Sequence, residues 1–162
     1  MEQEHDWENL TEDSEDAQWI WQHIVSALEK AGRTDVLQKL TVLDLGGRTG
    51  EFSKNLTEQG ITSVSLDKQN VDTNTGANQV RANAYEMPFP DESFDIVTSN
   101  SQFDDIYHLD YSLLLPEVAR VLKAKGVLSV CFPSPLPKGE LEKLFNLVVS
   151  EGKDDLTLWE KK

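Results

Sequence analysis

The run Val42-Leu43-Asp44-Leu45-Gly46-Gly47-Arg48-Thr49-Gly50-Glu51-Phe52 leads from an apolar stretch through a glycine-rich turn into a helical pattern. Glycines in such a turn let the backbone approach a ligand closely, and a helix start offers N–H groups with no partner of their own. The chemistry this suits is the holding of a nucleotide. The spacing narrows the choice. It is neither the G-x-G-x-x-G of a dinucleotide turn nor a phosphate loop, which needs Gly-Lys-Ser/Thr. A nicotinamide-dependent reductase is set aside on that ground. Seventeen residues after Gly50, Ser65-Leu66-Asp67 ends the next apolar run in an acid, and Lys68 follows it. A carboxylate at that place can accept hydrogen bonds from both hydroxyls of a ribose; the plain alternative is a solvated loop aspartate.

A third polar stretch, Ser99-Asn100-Ser101-Gln102-Phe103-Asp104-Asp105, follows the apolar run Phe94–Ser99, with Tyr107 and His108 just beyond. Such a polar loop can line a ligand pocket, and His108 is the candidate general base, against the alternative of an exposed loop histidine. Asp104 and Asp105 could in principle ligate a divalent ion, but no metal centre is expected. Cys131 is the lone cysteine, so neither an intramolecular disulfide nor a cysteine metal cluster can form.

The elements that must position these residues alternate in type. Trp19, Ile20, His23, Ile24, Ala27 and Leu28 recur at helical spacing, which predicts a helix from about Ala17 to Ala31 stopped by Gly32. Strands are predicted at Leu40–Leu45, Thr62–Leu66, Val80–Ala82, Phe94–Ser99 and Val127–Phe132, with a last short one at Leu156–Trp159. Helices are predicted at Gly50–Gln59, Leu113–Leu122 and Gly139–Val149, the last with Leu141, Leu144, Phe145 and Val148 on one face. Alternation of this kind implies parallel strands, right-handed crossovers and a sheet covered on both faces. The fold class is α/β, a Rossmann-like doubly wound, mostly parallel sheet. One domain over 17–162 is expected. Residues 1–16 hold eight acidic residues and no Lys or Arg, and are expected to be a flexible segment.

The 162 residues carry a formal net charge of −14. Direct nucleic-acid binding needs a basic face, so it is disfavoured. No apolar run is long enough to span a bilayer, and the acidic N-terminus does not read as a secretory signal. A cytoplasmic location is the expectation.

With those residues in view, the chain resembles the class I S-adenosylmethionine-dependent methyltransferases. Asp44, Gly46 and Gly50 fit their D/E-x-G-x-G-x-G signature. Asn83-Ala84-Tyr85-Glu86-Met87-Pro88-Phe89-Pro90-Asp91-Glu92-Ser93-Phe94-Asp95 is similar to the "D-A-x-x-L-P-F-x-D-x-S-F-D" stretch of the ubiquinone/menaquinone-biosynthesis type. Glu117-Val118-Ala119-Arg120-Val121-Leu122-Lys123 is similar to "E-x-x-R-V-L-K-P-G-G". The resemblance implies S-adenosylmethionine as cofactor and S-adenosylhomocysteine as product. Asp44 would favour the cofactor's ammonium group, Asp67 its ribose, and Asn83 its adenine amino group. Gly46, Gly47, Arg48, Gly50, Lys68, Ala84 and Ser99 complete the expected cofactor site. The implied reaction is methyl transfer to a small-molecule acceptor, whose pocket would lie beyond the fourth strand, around Ser99–Asp105, with His108 as its base. Trp7, Trp19 and Trp21 would either form a lid, as the family's N-terminal segments do, or serve as core (Trp19) and periphery.

The chain departs from the pattern at four places. Arg48 replaces the middle glycine; its guanidinium would repel a sulfonium or pair with the methionine carboxylate. Asn83 replaces an aspartate, and Lys125 a glycine. Gly47 stands at a position often filled by cysteine or alanine and reads as merely permissive. The C-terminal hairpin of the family sheet is expected to be shortened, with an open edge covered by a homodimer mate or a protein partner. These departures keep an alternative open: a catalytically inactive methyltransferase-like scaffold acting through a protein partner.

Overall fold

A computed structural model describes residues 14–38, 40–47, 49–68, 78–100, 109–131, 137–152 and 155–162. Among these residues, seven strands and four helices run in the order α1 (Ser14–Lys30), β1 (Thr41–Leu45), α2 (Glu51–Glu58), β2 (Thr62–Asp67), β3 (Gln79–Arg81), β4 (Phe94–Asn100), α3 (Tyr111–Val121), β5 (Leu122–Cys131), α4 (Lys138–Leu144), β6 (Phe145–Glu151) and β7 (Leu156–Lys161). A 3-10 turn at Thr34–Leu37 follows α1. The strands form one sheet in the order β3-β2-β1-β4-β5-β7-β6. The first five are parallel, and β7 is antiparallel to both β5 and β6. This is the doubly wound, mostly parallel arrangement that the alternation of elements predicts.

Alternating side chains divide the core between the two faces of the sheet. Val42, Ile96, Val127, Leu156 and Leu158 meet Ile20, Trp21, Ile24, Ala27 and Leu28 of α1, together with Phe52 and Leu56 of α2. Leu43, Leu45, Val97, Leu128 and Trp159 meet Leu114, Leu115, Val118 and Val121 of α3 and Leu141 of α4. The buried side of α1 is the i, i+3, i+4 stripe that its sequence spacing requires. Trp159 is fully buried, and its indole N–H donates to Thr157 Oγ1 at 2.9 Å, so no polar hydrogen is stranded with it.

The expectation of a shortened C-terminal hairpin is corrected. The helix expected over Gly139–Val149 ends at Leu144, and Phe145–Glu151 is a strand, so the hairpin β6–β7 is complete. A helical face and the run Phe-Asn-Leu-Val-Val share the same apolar positions, and the β-branched and aromatic residues favour the strand. The argument for a covering partner rested on the missing strand and loses that basis. The outermost strand, β6, carries a register irregularity between Leu147 and Val149, a feature that interrupts edge pairing.

Helix α1 begins at Ser14, inside the segment expected to be flexible; residues 1–13 lie outside the described residues, and Trp7 with them. Trp21, expected at the periphery or on a lid, is a core residue, 5% exposed and edge-on to Phe52. Trp19 is half-buried and lies against the His23 ring. No helix among the described residues is long and apolar enough to cross a membrane.

Candidate functional site

Strand order reverses between β1 and β4, since β2 and β3 lie to one side of β1 and β4 and β5 to the other. In open α/β sheets the crevice at the carboxyl ends of the strands beside such a reversal is where ligands bind. Here that crevice is built by the turn after β1. Gly46 has φ 75° and Gly50 φ 77°, backbone that a side chain would strain. The N–H groups of Gly46 and Gly47 both donate to Leu66 O, at 2.7 and 3.3 Å, which pins the turn to the end of β2. Gly50 N–H closes the turn on Gly47 O at 2.7 Å, and Gln79 Nε2 holds Thr49 O at 2.7 Å. Helix α2 then starts with no side-chain cap.

Gly47 is not merely permissive, as expected, but required by its neighbours. A Cβ on it would lie 2.1 Å from Ser65 Oγ and 2.3 Å from Asp44 Oδ2. The Asp44 carboxylate leans across the turn and occupies the space that a methyl group would need. Asp44 and Ser65 are register partners on β1 and β2, each 2% exposed. Arg48 and His108 lie outside the described residues, as do Asp104, Asp105 and Tyr107.

Asp67 is the last residue of β2 and is 8% exposed; Lys68, next to it, is exposed. Asp67 O accepts from Ala82 N–H at 3.0 Å, so the Asn83 segment starts directly beside the expected ribose acid. Asn83 itself is exposed, and its Oδ1 accepts from Tyr85 N–H at 2.9 Å. The amide oxygen expected to meet an adenine amino group thus already caps its own turn, and one lone pair of the carbonyl remains for a ligand. Ala84 is half-buried against the α3 side of the core. Ser99 is 2% exposed and, by strand alternation, faces away from Thr98 and Asn100.

The sequence reading missed what holds this segment. Arg120 on α3 donates to Met87 O at 3.0 Å, Phe89 O at 2.8 Å, Asp91 Oδ1 at 2.8 Å and Glu117 Oε1 at 2.6 Å. Glu117 Oε1 in turn accepts from Met87 N–H at 2.7 Å, and Tyr85 OH accepts from Asp110 N–H at 2.9 Å. The Arg120 hydrogen bond holds the Glu117 carboxyl below the usual carboxylate range. Helix α3 therefore grips the Asn83–Asp91 segment along its length. The signal was present as Glu117-x-x-Arg120, an i, i+3 pair on one helix.

Asn100 was named only as part of the polar stretch Ser99–Asp105, with no role of its own. It is 5% exposed at the end of β4, its Oδ1 accepts from Thr98 Oγ1 at 2.8 Å, and its Nδ2 is buried without a hydrogen-bond partner. Such an orphan donor costs about 1–3 kcal/mol.

Residues 43–130, more than half of the chain, match the model of the methyltransferase domain family. The chain belongs to this family. Its fold is the class I fold, and S-adenosylmethionine is the cofactor of that class. The residues present fit such a group: glycines at positions 46, 47 and 50 of the turn, an acid at the end of β2 and an unsatisfied amide donor at the end of β4. The chain is 33% identical over 104 residues to a demethylmenaquinone methyltransferase of Bacillus licheniformis, covering 61% of this chain and 40% of that protein. It is 35% identical over 112 residues to a ubiquinone/menaquinone biosynthesis C-methyltransferase of Vibrio campbellii, covering 59% and 42%. The chain thus spans less than half the length of either relative. In fold it is similar to the 1,6-didemethyltoxoflavin-N1-methyltransferase of Burkholderia thailandensis, solved with its substrate and S-adenosylhomocysteine. The TM-score is 0.58 at 17% identity, over 92% of this chain and 84% of that one.

Proposed function

We propose that this methyltransferase domain binds S-adenosylmethionine and transfers its methyl group to a small-molecule acceptor, with a quinol-type ring as the first candidate. The observation that carries the reading is the turn after β1, with Gly46 and Gly50 at positive φ, beside the buried Asp44 and Asp67 at the strand-order reversal. The quinone-related names of two relatives support the acceptor class.

When bound, S-adenosylmethionine supplies an electrophilic methyl group on a sulfonium. The chain's part is positioning and exclusion of water, which supply most of the acceleration of an in-line displacement. Asp67 accepts from the ribose hydroxyls. Asp44 favours the ammonium of the methionine end, and its negative charge also suits a nearby sulfonium. Asn83 and Ala84 border the adenine, and the α3 grip keeps that border rigid. Ser99 belongs to the acceptor side of β4. His108 is the candidate base for an acceptor that starts protonated.

Calorimetric titration of S-adenosylhomocysteine and S-adenosylmethionine, with an Arg48→Gly variant alongside, tests the reading. Micromolar binding by the natural protein is expected. Absence of binding in both proteins would overturn a cofactor site. Binding only by Arg48→Gly would mean that one side chain has closed it.

A further inference from the structure

Three neighbouring strands carry polar residues on the sheet face beneath α1. Asp44 of β1, Thr98 of β4 and Ser129 of β5 are register partners in one row, and Asn100 and Cys131 are partners one step nearer the carboxyl ends. None of the five is more than 5% exposed. Buried polar groups are ordinarily satisfied. Thr98 meets the oxygen of the Asn100 amide, which fixes the plane of that amide and turns Nδ2 the opposite way. Nδ2 then has no partner, although the residue stands at the end of β4 beside the crevice.

We infer that Asn100 is a preset donor for a ligand oxygen at this crevice, a carboxylate, carbonyl or phenolate oxygen, its amide oriented by Thr98. The inference rests on the methyltransferase reading and names how that site recognises oxygen. A neutral amide suits the place. An amide supplies an N–H without bringing a charge into the buried row. Two sources can offer the oxygen: the amino-acid carboxylate of the cofactor, or an oxygen of the methyl acceptor next to the methylated atom.

Asn100→Asp keeps the size and the acceptor for Thr98 and replaces the donor with an anion. Asn100→Ala removes the donor without adding charge, and thermal melting checks the fold of both. The variants and the natural protein would be titrated with S-adenosylhomocysteine and with 5′-methylthioadenosine, which lacks the amino-acid end. Methyl transfer to 1,4-dihydroxynaphthalene would be assayed in parallel. If the oxygen is the cofactor carboxylate, both variants weaken S-adenosylhomocysteine about tenfold and leave methylthioadenosine unchanged. If it belongs to the acceptor, S-adenosylhomocysteine binding is unchanged and kcat/KM for the quinol falls about tenfold or more. Unchanged cofactor binding without a loss of transfer overturns the assignment. A gain in binding with Asn100→Asp overturns it too, because the amide would then be presenting its oxygen. Failure of the natural protein to bind S-adenosylhomocysteine overturns the cofactor reading and this inference together, and so is distinguished from failure of the Asn100 assignment alone.

Discussion

The Asp44 carboxylate lies across Gly47 so closely that a methyl group on the glycine would sit 2.3 Å from Oδ2. Gly47→Ala must therefore displace Asp44, Ser65 or the turn itself. Overpacking of this kind costs about 1–3 kcal/mol. The variant should melt lower and bind S-adenosylhomocysteine about tenfold more weakly. Ser65→Ala in the same background removes the nearer clash and should restore part of both. Unchanged binding by Gly47→Ala would show that the position of Asp44 is not used for the ligand.

Arg120 and Glu117 supply the second prediction. Arg120→Ala removes donors from two carbonyls and leaves the largely buried Glu117 without its cation, a loss of about 1–3 kcal/mol in stability. The Glu117 carboxyl is held low in the folded state, chiefly by the Arg120 hydrogen bond. A depressed carboxylate contributes stability that is present above its unfolded value, about 4.3, and lost as pH falls through the folded value. The gap in melting temperature between the natural protein and Glu117→Gln should be full at pH 7 and close below about pH 4. A gap that persists in acid would assign the effect to packing.

Lys125 holds a left-handed conformation, φ 59°, where the family pattern places glycine. Its carbonyl accepts from Arg33 Nη2 at 2.8 Å, a contact that fixes the turn leading into the buried half of β5. A non-glycine residue in that region costs about 1–2 kcal/mol, partly offset by the greater chain entropy that glycine loses on folding. Lys125→Gly should raise the melting temperature by about 2–4 °C, with ligand binding untouched. A fall would mean that the lysine side chain contributes more than its backbone costs.

Cys131 is buried on β5, and burial pushes its thiol up to about 12. At pH 8 it is protonated and covered. A thiol reagent should leave the native protein unlabelled for as long as it stays folded and react at once in denaturant. Saturation with S-adenosylhomocysteine should slow labelling at intermediate denaturant, because a ligand of the native state lowers the unfolded population. Rapid labelling under native conditions would mean that β5 opens locally.

Most of the fold was legible because alternation of strand and helix leaves few topologies. The five parallel strands overlap the five predicted runs, with β5 starting earlier, at Leu122. The strand β6 was not legible: Phe145 and Val148 satisfy a helical face as well as a strand, and only pairing with β7 decides between them. At the site, glycines and acids read well because their roles are local to the chain. Gly47 did not, because its constraint comes from the side chains of two different strands. The role of Asn100 was equally hidden, since an orphan donor is defined by what surrounds it, and the Arg120 grip spans a separation of 33 residues to Met87.

The position of β7 also bears on the chain's synthesis. β7 lies between β5 and β6, yet it is made after both. Until Lys161 has left the ribosome, the apolar Val127–Cys131 strand has a bare edge and Phe145–Glu151 has no partner. The nascent chain must carry that sticky edge until β7 emerges, which makes that interval, rather than the finished protein, the one most exposed to aggregation.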